Sequence, residues 1–463
     1  MIELDFNNIL YNVLGPSHSI GEPELNNAIK DNARICREIQ DERKQGRHAF
    51  LDLPYQDVAG IISFARANAK KYENIVVLGI GGSALGARTL LEALKPPFYN
   101  LLSAKQRKGF PRLFILDNID SAETKALLQV INPKKTLFNV VSKSGETTET
   151  IASLLVTLGV LKKQVGKNYR KNLVITTDKE KGFLRRFADK EGVQSFETQK
   201  EVQGRYAVLS SVGLLPAALI GIDIRKLLKG AAAVDNMVKT SGPQINPAYI
   251  SALVNFIYDR EKSKNILVVM PYSAQLKAFA EWFRQIYPES LAKRYDWDNK
   301  EVYVGPTVMN ALGATDQHSQ IQLYNEGPNN KLIVFVEVET TKDKLIMPKL
   351  DDESSSFLAG RSLHELMLIE KKATAYALVQ SRRPNYTIRL KEISEESIGA
   401  LLYFFQLVTA YAGKLYKVNP YNQPGVEAGK RATFGLMGKK GYEKEVADIT
   451  NAISKDKRWI IKI

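Results

Sequence analysis

Ile75-Val76-Val77-Leu78-Gly79-Ile80-Gly81-Gly82-Ser83-Ala84-Leu85-Gly86 runs from a four-residue apolar block through a glycine turn into a helical pattern. Aliphatic side chains without polar alternation mark a strand buried on both faces. The same unit recurs. Residues 113–116, 137–141 and 173–176 read as further buried parallel strands, and helical patterns follow over 84–94, 122–130, 147–160 and 179–187. Alternating strand and helix predict an α/β fold with an open doubly wound sheet.

A second set begins at 266–270 and continues through 302–304, 332–338 and 386–390, with helical segments between. At 463 residues the chain exceeds the roughly 250–300 that one core supports, so two α/β units are expected. Residues 1–68 read as a mostly helical extension covering the first unit, 69–240 as the first domain with its connecting helices, 241–435 as the second, and 436–463 as a helical tail. Two long apolar helices, 209–220 and 224–238, would pack across the join. The stretch 340–356, with its three consecutive serines, reads as a loop inside the second unit.

With 44% apolar and 25% charged residues, the composition is that of an ordinary globular protein. Cys36 is the one cysteine, which excludes an intrachain disulfide and a cysteine metal cluster and suits a reducing cytoplasm. The start is acidic where a signal peptide would be basic, and no apolar stretch reads as the ~18 residues a bilayer requires. A cytoplasmic protein without a membrane partner is the expectation. A net charge of +15 favours anionic partners. The basic residues are scattered and form no nucleic-acid-binding motif, so a phosphorylated metabolite is expected rather than nucleic acid.

Ligands of such sheets collect outside the carboxyl ends of the strands. Two loops lie there. In the first, Gly79, Gly81 and Ala84 fall at the positions of a dinucleotide fingerprint, but position 99 is Tyr where an acidic ribose partner belongs, and Asp117 comes only after the next strand. A tight turn alone, or a sugar or phosphate contact through Ser83, are the other readings. The second loop, Ser142-Lys143-Ser144-Gly145-Glu146-Thr147, sets hydroxyls and an amine at the start of a helix, where a phosphate dianion is well received. Helix capping by Thr147 is the plainer alternative. No Gly-x-x-x-x-Gly-Lys-Ser/Thr loop occurs, which argues against a nucleotide triphosphatase.

Gly-Ile-Gly-Gly-Ser at 79–83, Ser-Lys-Ser-Gly-Glu-Thr at 142–147, Gly204-Arg205-Tyr206, and Gln423-Pro424-Gly425-Val426-Glu427 with Lys430 together resemble the glucose-6-phosphate isomerase family, its shorter bacterial form in particular. The likeness runs from about residue 70 to 435. It implies two sugar-isomerase (SIS) domains of flavodoxin-like, doubly wound type with helical extensions, and a homodimer with its sites at the subunit boundary. No metal and no organic cofactor are implied. The family interconverts glucose 6-phosphate and fructose 6-phosphate through ring opening and a cis-enediol. An isomerase that also accepts mannose 6-phosphate and a non-catalytic sugar-phosphate sensor are the alternatives.

That reaction needs a phosphate grip, a ring opener, a base moving a proton between C1 and C2, and a cation for the enediolate. By motif, Gly82, Ser83, Ser142, Lys143, Ser144 and Thr147 would form the grip. Glu289, in Tyr287-Pro288-Glu289-Ser290, resembles the family's catalytic Glu, although Tyr-Pro stands where an apolar-Gly pair is usual. Without the resemblance, it reads as a surface carboxylate near a helix end. His318, in Thr315-Asp316-Gln317-His318-Ser319, and His364, at the head of a helical pattern, are both candidates for ring opening, with His318 preferred. Imidazole suits that step because both its protonation states are populated near neutral pH. Lys430 would protonate the ring oxygen or hold developing charge, and Gln423, seven residues earlier, would project from the same side of a helix. Arg205 would steady the enediolate with a rigid, permanently charged fork. Its surroundings lack one Gly and one Ser of the family's usual Gly-Gly-Arg-Phe/Tyr-Ser.

Overall fold

In the computed structural model, which describes residues 2–452 and 457–461, the chain opens with strand β1 (Ile2–Asp5). The apolar runs of the first half follow as β2 (Asn74–Leu78), β3 (Arg112–Leu116), β4 (Thr136–Ser142) and β5 (Leu173–Thr177), with a short β6 (Ser195–Glu197) after them. These five form a parallel sheet in the order β3-β2-β4-β5-β6. That is the flavodoxin-like order, whose direction of winding reverses between β2 and β4. Both predicted ligand loops leave the carboxyl ends of those two strands, so the topology alone sets them side by side. A Cβ on Gly79 would lie 3.2 Å from Val141 O, which shows how close the two loops run.

The second sheet is built from β7 (Ile266–Pro271), β10 (Thr307–Asn310), β11 (Lys331–Val338) and β12 (Asn385–Leu390), all parallel, with β1 added antiparallel to β12. Its order, β1-β12-β11-β7-β10, when read from β10 repeats that of the first sheet, with β1 standing antiparallel in the place of β6. The expected strand 302–304 is not part of it. That run belongs to β9 (Glu301–Val304), which pairs antiparallel with β8 (Lys293–Tyr295) as a separate hairpin. Its alternating exposure suits a solvent-facing ribbon, and Gly305 at φ +118 then turns the chain into β10, which takes the edge instead.

The N-terminal head therefore does not simply cover the first unit. Arg389 on β12 clamps β1 by pairing with Glu3 at 2.5 Å and Asp5 at 2.7 Å. Helices at Glu22–Asp31, Arg34–Lys44 and Ala59–Asn68 make up much of the remainder. Tyr249 OH donates to Ile29 O, tying the head to the second half as well, while Ala59–Asn68 packs on the helix Ser211–Leu219.

Two long helices, Ile224–Thr240 and Glu395–Leu415, cross in the core. A Cβ on Gly230 would stand 1.9 Å from Glu396 O, and one on Gly399 would stand 1.9 Å from Leu227 O, so paired glycines let the backbones touch. Glu395–Leu415 also corrects an expectation. It is long and apolar enough to cross a bilayer, but 94% of its apolar window is buried within the protein. A helix enclosed on all sides carries apolar residues all round, as a membrane span does.

Asp235 is fully buried beside this crossing and accepts from Arg43 (2.9 Å), Lys239 (2.6 Å), Tyr55 OH (2.7 Å) and Tyr403 OH (2.7 Å). Burial raises its pKa, but those donors outweigh it and hold the carboxyl below its usual range. Asp235→Ala takes from Arg43 its buried carboxylate, leaving it only Asp52 and Leu51 O, and is expected to destabilise the fold by about 3–5 kcal/mol. The denaturant midpoint of the variant measures this, and a loss below about 1 kcal/mol would contradict the role given to the cluster.

The chain divides into two compact units, residues 1–420 and 421–463. Both sheets lie in the first, with no division near 240, and residues 421–435 group with the tail. Helices Glu427–Leu436 and Glu443–Ala452 form the second unit, joined by an Arg431–Glu445 ion pair and a Phe434–Tyr442 edge contact at 5.2 Å. Arg431 thus has a structural partner in Glu445. Residues 453–456 and 462–463 of the expected tail lie outside the described residues.

Candidate active site

At the winding reversal of the first sheet, Gly81–Ser83 forms a 3-10 turn before the helix Leu85–Leu94. Gly81 has φ +58, a conformation that side chains other than glycine's rarely take. A Cβ on Gly82 would come within 2.3 Å of the Gly204 carbonyl carbon and 2.6 Å of Arg205 N. This position admits only hydrogen. The glycine loop is therefore pressed against the turn Gly204–Leu209, which carries Arg205.

In the neighbouring loop, Ser142 Oγ and Thr147 Oγ1 share a hydrogen bond of 2.8 Å. Thr147 occupies the N-cap of the helix Thr148–Val165, but its hydroxyl does not cap a helix amide. Capping by its side chain thus does not explain the threonine. Ser144 Oγ accepts from Glu146 N at 3.2 Å, and Gly145 at φ +66 makes the turn. Lys143 Nζ donates to Gln203 Oε1 at 3.5 Å, linking this loop to the segment before Arg205. Burial pushes the Lys143 ammonium below its usual range, with Arg205 and Lys181 acting in the same sense against Glu201 and Asp178.

Arg205 is buried at 3% exposure. Its Nε donates to Ser290 Oγ at 2.8 Å and its Nη2 to Pro420 O at 2.6 Å, while Nη1 lies 3.4 Å from Glu289 Oε1. Glu289, one-third exposed, sits in the last turn of the helix Lys277–Leu291 rather than in a turn beyond it. Its other oxygen accepts from Gln285 Nε2 at 3.1 Å. Gln285 in turn touches the glycine loop, since a Cβ on Gly81 would lie 2.9 Å from its Nε2. One helix face thus brings a carboxylate and an amide, four residues apart, onto both the loop and the guanidinium.

Ring-opening candidates lie on the second sheet. His318 closes the 3-10 turn Thr315–His318 after β10, held by Asp316, whose carboxylate accepts from Leu312 N and Ser319 Oγ. No hydrogen bond ties His318 to Arg205, Glu289 or the serine loop among the described residues. His364 is placed one residue into the helix Leu363–Gln380, its Nε2 3.1 Å from Glu339 O. Neither imidazole hydrogen-bonds to Arg205 or Glu289 among the described residues.

Gln423 and Lys430 belong to the second unit. They do not share a helix. Pro424 disfavours helical backbone at the preceding residue, and Gln423 is the N-cap of the 3-10 turn Pro424–Val426 at φ −148. Lys430 lies within Glu427–Leu436, exposed, with Nζ 2.8 Å from Glu427 Oε1.

Gln285, Ser290 and Lys293 escaped sequence reasoning. Only their spacing around Glu289 on one helix end could have pointed to them. No three His, Cys, Asp or Glu side chains come together as a metal site among the described residues. A buried guanidinium against a half-open carboxylate, flanked by a hydroxyl-lined anion cradle, can bind a phosphate ester and move a proton next to developing negative charge.

Comparison with known proteins locates this arrangement. The profile of the family described as phosphoglucose isomerase matches residues 59–452. A glucose-6-phosphate isomerase of Carboxydothermus hydrogenoformans is 41% identical over 466 aligned positions, covering all of both chains. One from Rubrobacter xylanophilus is 46% identical over 80% of this chain and 83% of its own. Among solved structures, a hypothetical protein from Thermus thermophilus superposes with a TM-score of 0.83 at 33% identity, covering 95% of this chain and all of that one.

Proposed function

The chain belongs to the phosphoglucose isomerase family, and from that premise we propose that it interconverts glucose 6-phosphate and fructose 6-phosphate through a cis-enediol, as a cytoplasmic homodimer of glycolysis and gluconeogenesis. The observation that carries this reading is the Arg205–Glu289 pair set beside the serine cradle at the winding reversal of the first sheet.

The phosphate is held by Ser83, Ser142, Lys143, Ser144 and Thr147, with Gly82 leaving room for the loop to close on Arg205. Burial makes the Lys143 ammonium less basic, with Glu201 and Asp178 acting in the other direction. His318 and Lys430 help open the ring, Lys430 by protonating the ring oxygen or holding developing charge. His318 is preferred because its imidazole makes no hydrogen bond among the described residues, whereas His364 is already engaged at Glu339 O. Gln423 orients the sugar.

Glu289 then takes the proton from C2 of the open aldose and returns it to C1, while the C2 hydroxyl proton passes to O1, so that the C1 carbonyl becomes a hydroxyl and the C2 hydroxyl becomes the ketose carbonyl. Arg205 meets the negative charge on the enediolate oxygens. Its other two nitrogens are fixed by Ser290 and Pro420 O, so no reorganisation is required when the charge forms.

A coupled assay with fructose 6-phosphate tests the reading. Turnover with the wild type is expected, and Ser142→Ala/Thr147→Ala should raise KM by about tenfold or more with a smaller effect on kcat. Absence of turnover sinks the assignment, and a loss confined to kcat sinks the cradle's role as the grip.

A further inference from the structure

Behind the Glu289 carboxylate, the end of the helix Lys277–Leu291 meets the turn Gly204–Leu209 and the start of the hairpin. Lys293, the first residue of β8, is buried there at 7% exposure. Its Nζ donates to Glu289 O at 2.9 Å and to Ser290 O at 2.7 Å. Both carbonyls belong to the last turn of the helix, where backbone acceptors have run out of helical partners. Those same two residues hold Arg205, one through its carboxylate and the other through its hydroxyl. A single ammonium therefore fixes the backbone under both contacts, and its charge opposes the negative end of the helix dipole.

We propose that Lys293 is a positioning residue for the isomerisation: its ammonium locks the helix end so that the Glu289 carboxylate and Ser290 hydroxyl stay aimed at Arg205. This rests on the assignment of Glu289 as the base. Removing the ammonium frees the last helical turn, and the base loses its alignment without any change in the phosphate grip.

Charge is part of the device. From the turn, Arg205 and Tyr206 face this region, and from the helix, Glu289 does. On the hairpin, Glu301 is occupied by Arg294 at 2.6 Å and by Tyr303 OH at 3.1 Å. Burial pushes the Lys293 ammonium down to about 8, with Arg205 acting in the same direction and Glu289 against it. Above that pH the amine keeps its N–H groups but loses the charge that makes such hydrogen bonds roughly twice as strong. The stability consequence has the opposite sign. A lysine whose folded pKa lies below the unfolded value of about 10.4 binds fewer protons when folded, so its contribution to stability rises with pH through that window. A decline in kcat there is not explained by this group weakening the fold.

The experiment measures kcat, KM and melting temperature of the wild type, Lys293→Met and Lys293→Arg from about pH 6.5 to 9.5 with fructose 6-phosphate, a range that brackets the lysine's titration. At pH ~7 the Met variant is expected to lose about 10- to 100-fold in kcat with KM within about threefold. The wild type should fall toward it above about pH 8, and the Arg variant, if active, should hold its kcat to about pH 9 because a guanidinium does not titrate there. A constant ratio of wild type to Met variant across the range, or a Met variant within about twofold of wild type, overturns the proposal. Should Lys293→Met fail to fold, the Arg variant decides: an alkaline fall unchanged from wild type overturns it. A wild type that turns over no substrate overturns the functional reading itself, which keeps the two failures apart.

Discussion

Glu289→Gln is expected to lower kcat by about 10²–10⁴-fold while KM stays within about threefold, because the substitution removes only the basicity of the group. The carboxamide oxygen can still accept from Arg205 Nη1, which lies 3.4 Å from Oε1 in the native protein, so the geometry survives. Exchange of the C2 proton with solvent, followed by deuterium incorporation, should fall in parallel with turnover. A variant retaining more than about a tenth of wild-type kcat would place the base on another carboxylate.

Arg205→Lys should cost about 10²–10³-fold in kcat, a loss comparable to removing a fixed oxyanion donor. The guanidinium serves three partners at once from one rigid plane: Ser290 Oγ, Pro420 O and the Glu289 carboxylate. An ammonium on a flexible stem cannot hold all three and face an enediolate. Binding of a planar enediolate mimic, such as a sugar-phosphate hydroxamate, should weaken far more than binding of fructose 6-phosphate. Equal weakening of the two would mean that Arg205 contributes to general substrate binding, and unaltered kcat would remove it from the chemistry. The melting temperature of the variant separates these outcomes from loss of fold.

The first sheet was legible because its strands are enclosed on both faces. β2, β4 and β5 are buried along their whole length, which leaves short, mostly apolar runs in the sequence, broken in β4 by Asn139. Of the edge strands, β3 was legible but β1, β6 and β10 were not. Ile2–Asp5 and Thr307–Asn310 carry polar residues on open faces, and only their pairing with β12 and β7 makes them strands. The run 302–304 looked right for a sheet strand and was not, because alternation alone does not distinguish a solvent-facing hairpin from a sheet margin. Glu395–Leu415 misled in the other direction, its two tyrosines, Gln406 and Thr409 breaking an apolar surface that the interior nevertheless encloses.

Of the site, the grip residues and Arg205 were legible through local motifs, since glycine turns and hydroxyl clusters sit contiguously in sequence. Gln285, Ser290 and Lys293 act through a helix end, where each neighbour is set by three-dimensional packing and no residue type is diagnostic. Gln423 was placed on a helix by its spacing from Lys430, and Pro424 prevents it.

The antiparallel strand Ile2–Asp5 has a consequence for the order of synthesis. It is made before every other strand of its sheet, yet its partner Asn385–Leu390 is made after all of them. Contacts so distant in sequence form slowly, and a segment waiting for its mate exposes unsatisfied backbone meanwhile. The second sheet is therefore completed only once Asn385–Leu390 has been made, and its margin is occupied by a strand synthesised long before, sealed there by Arg389.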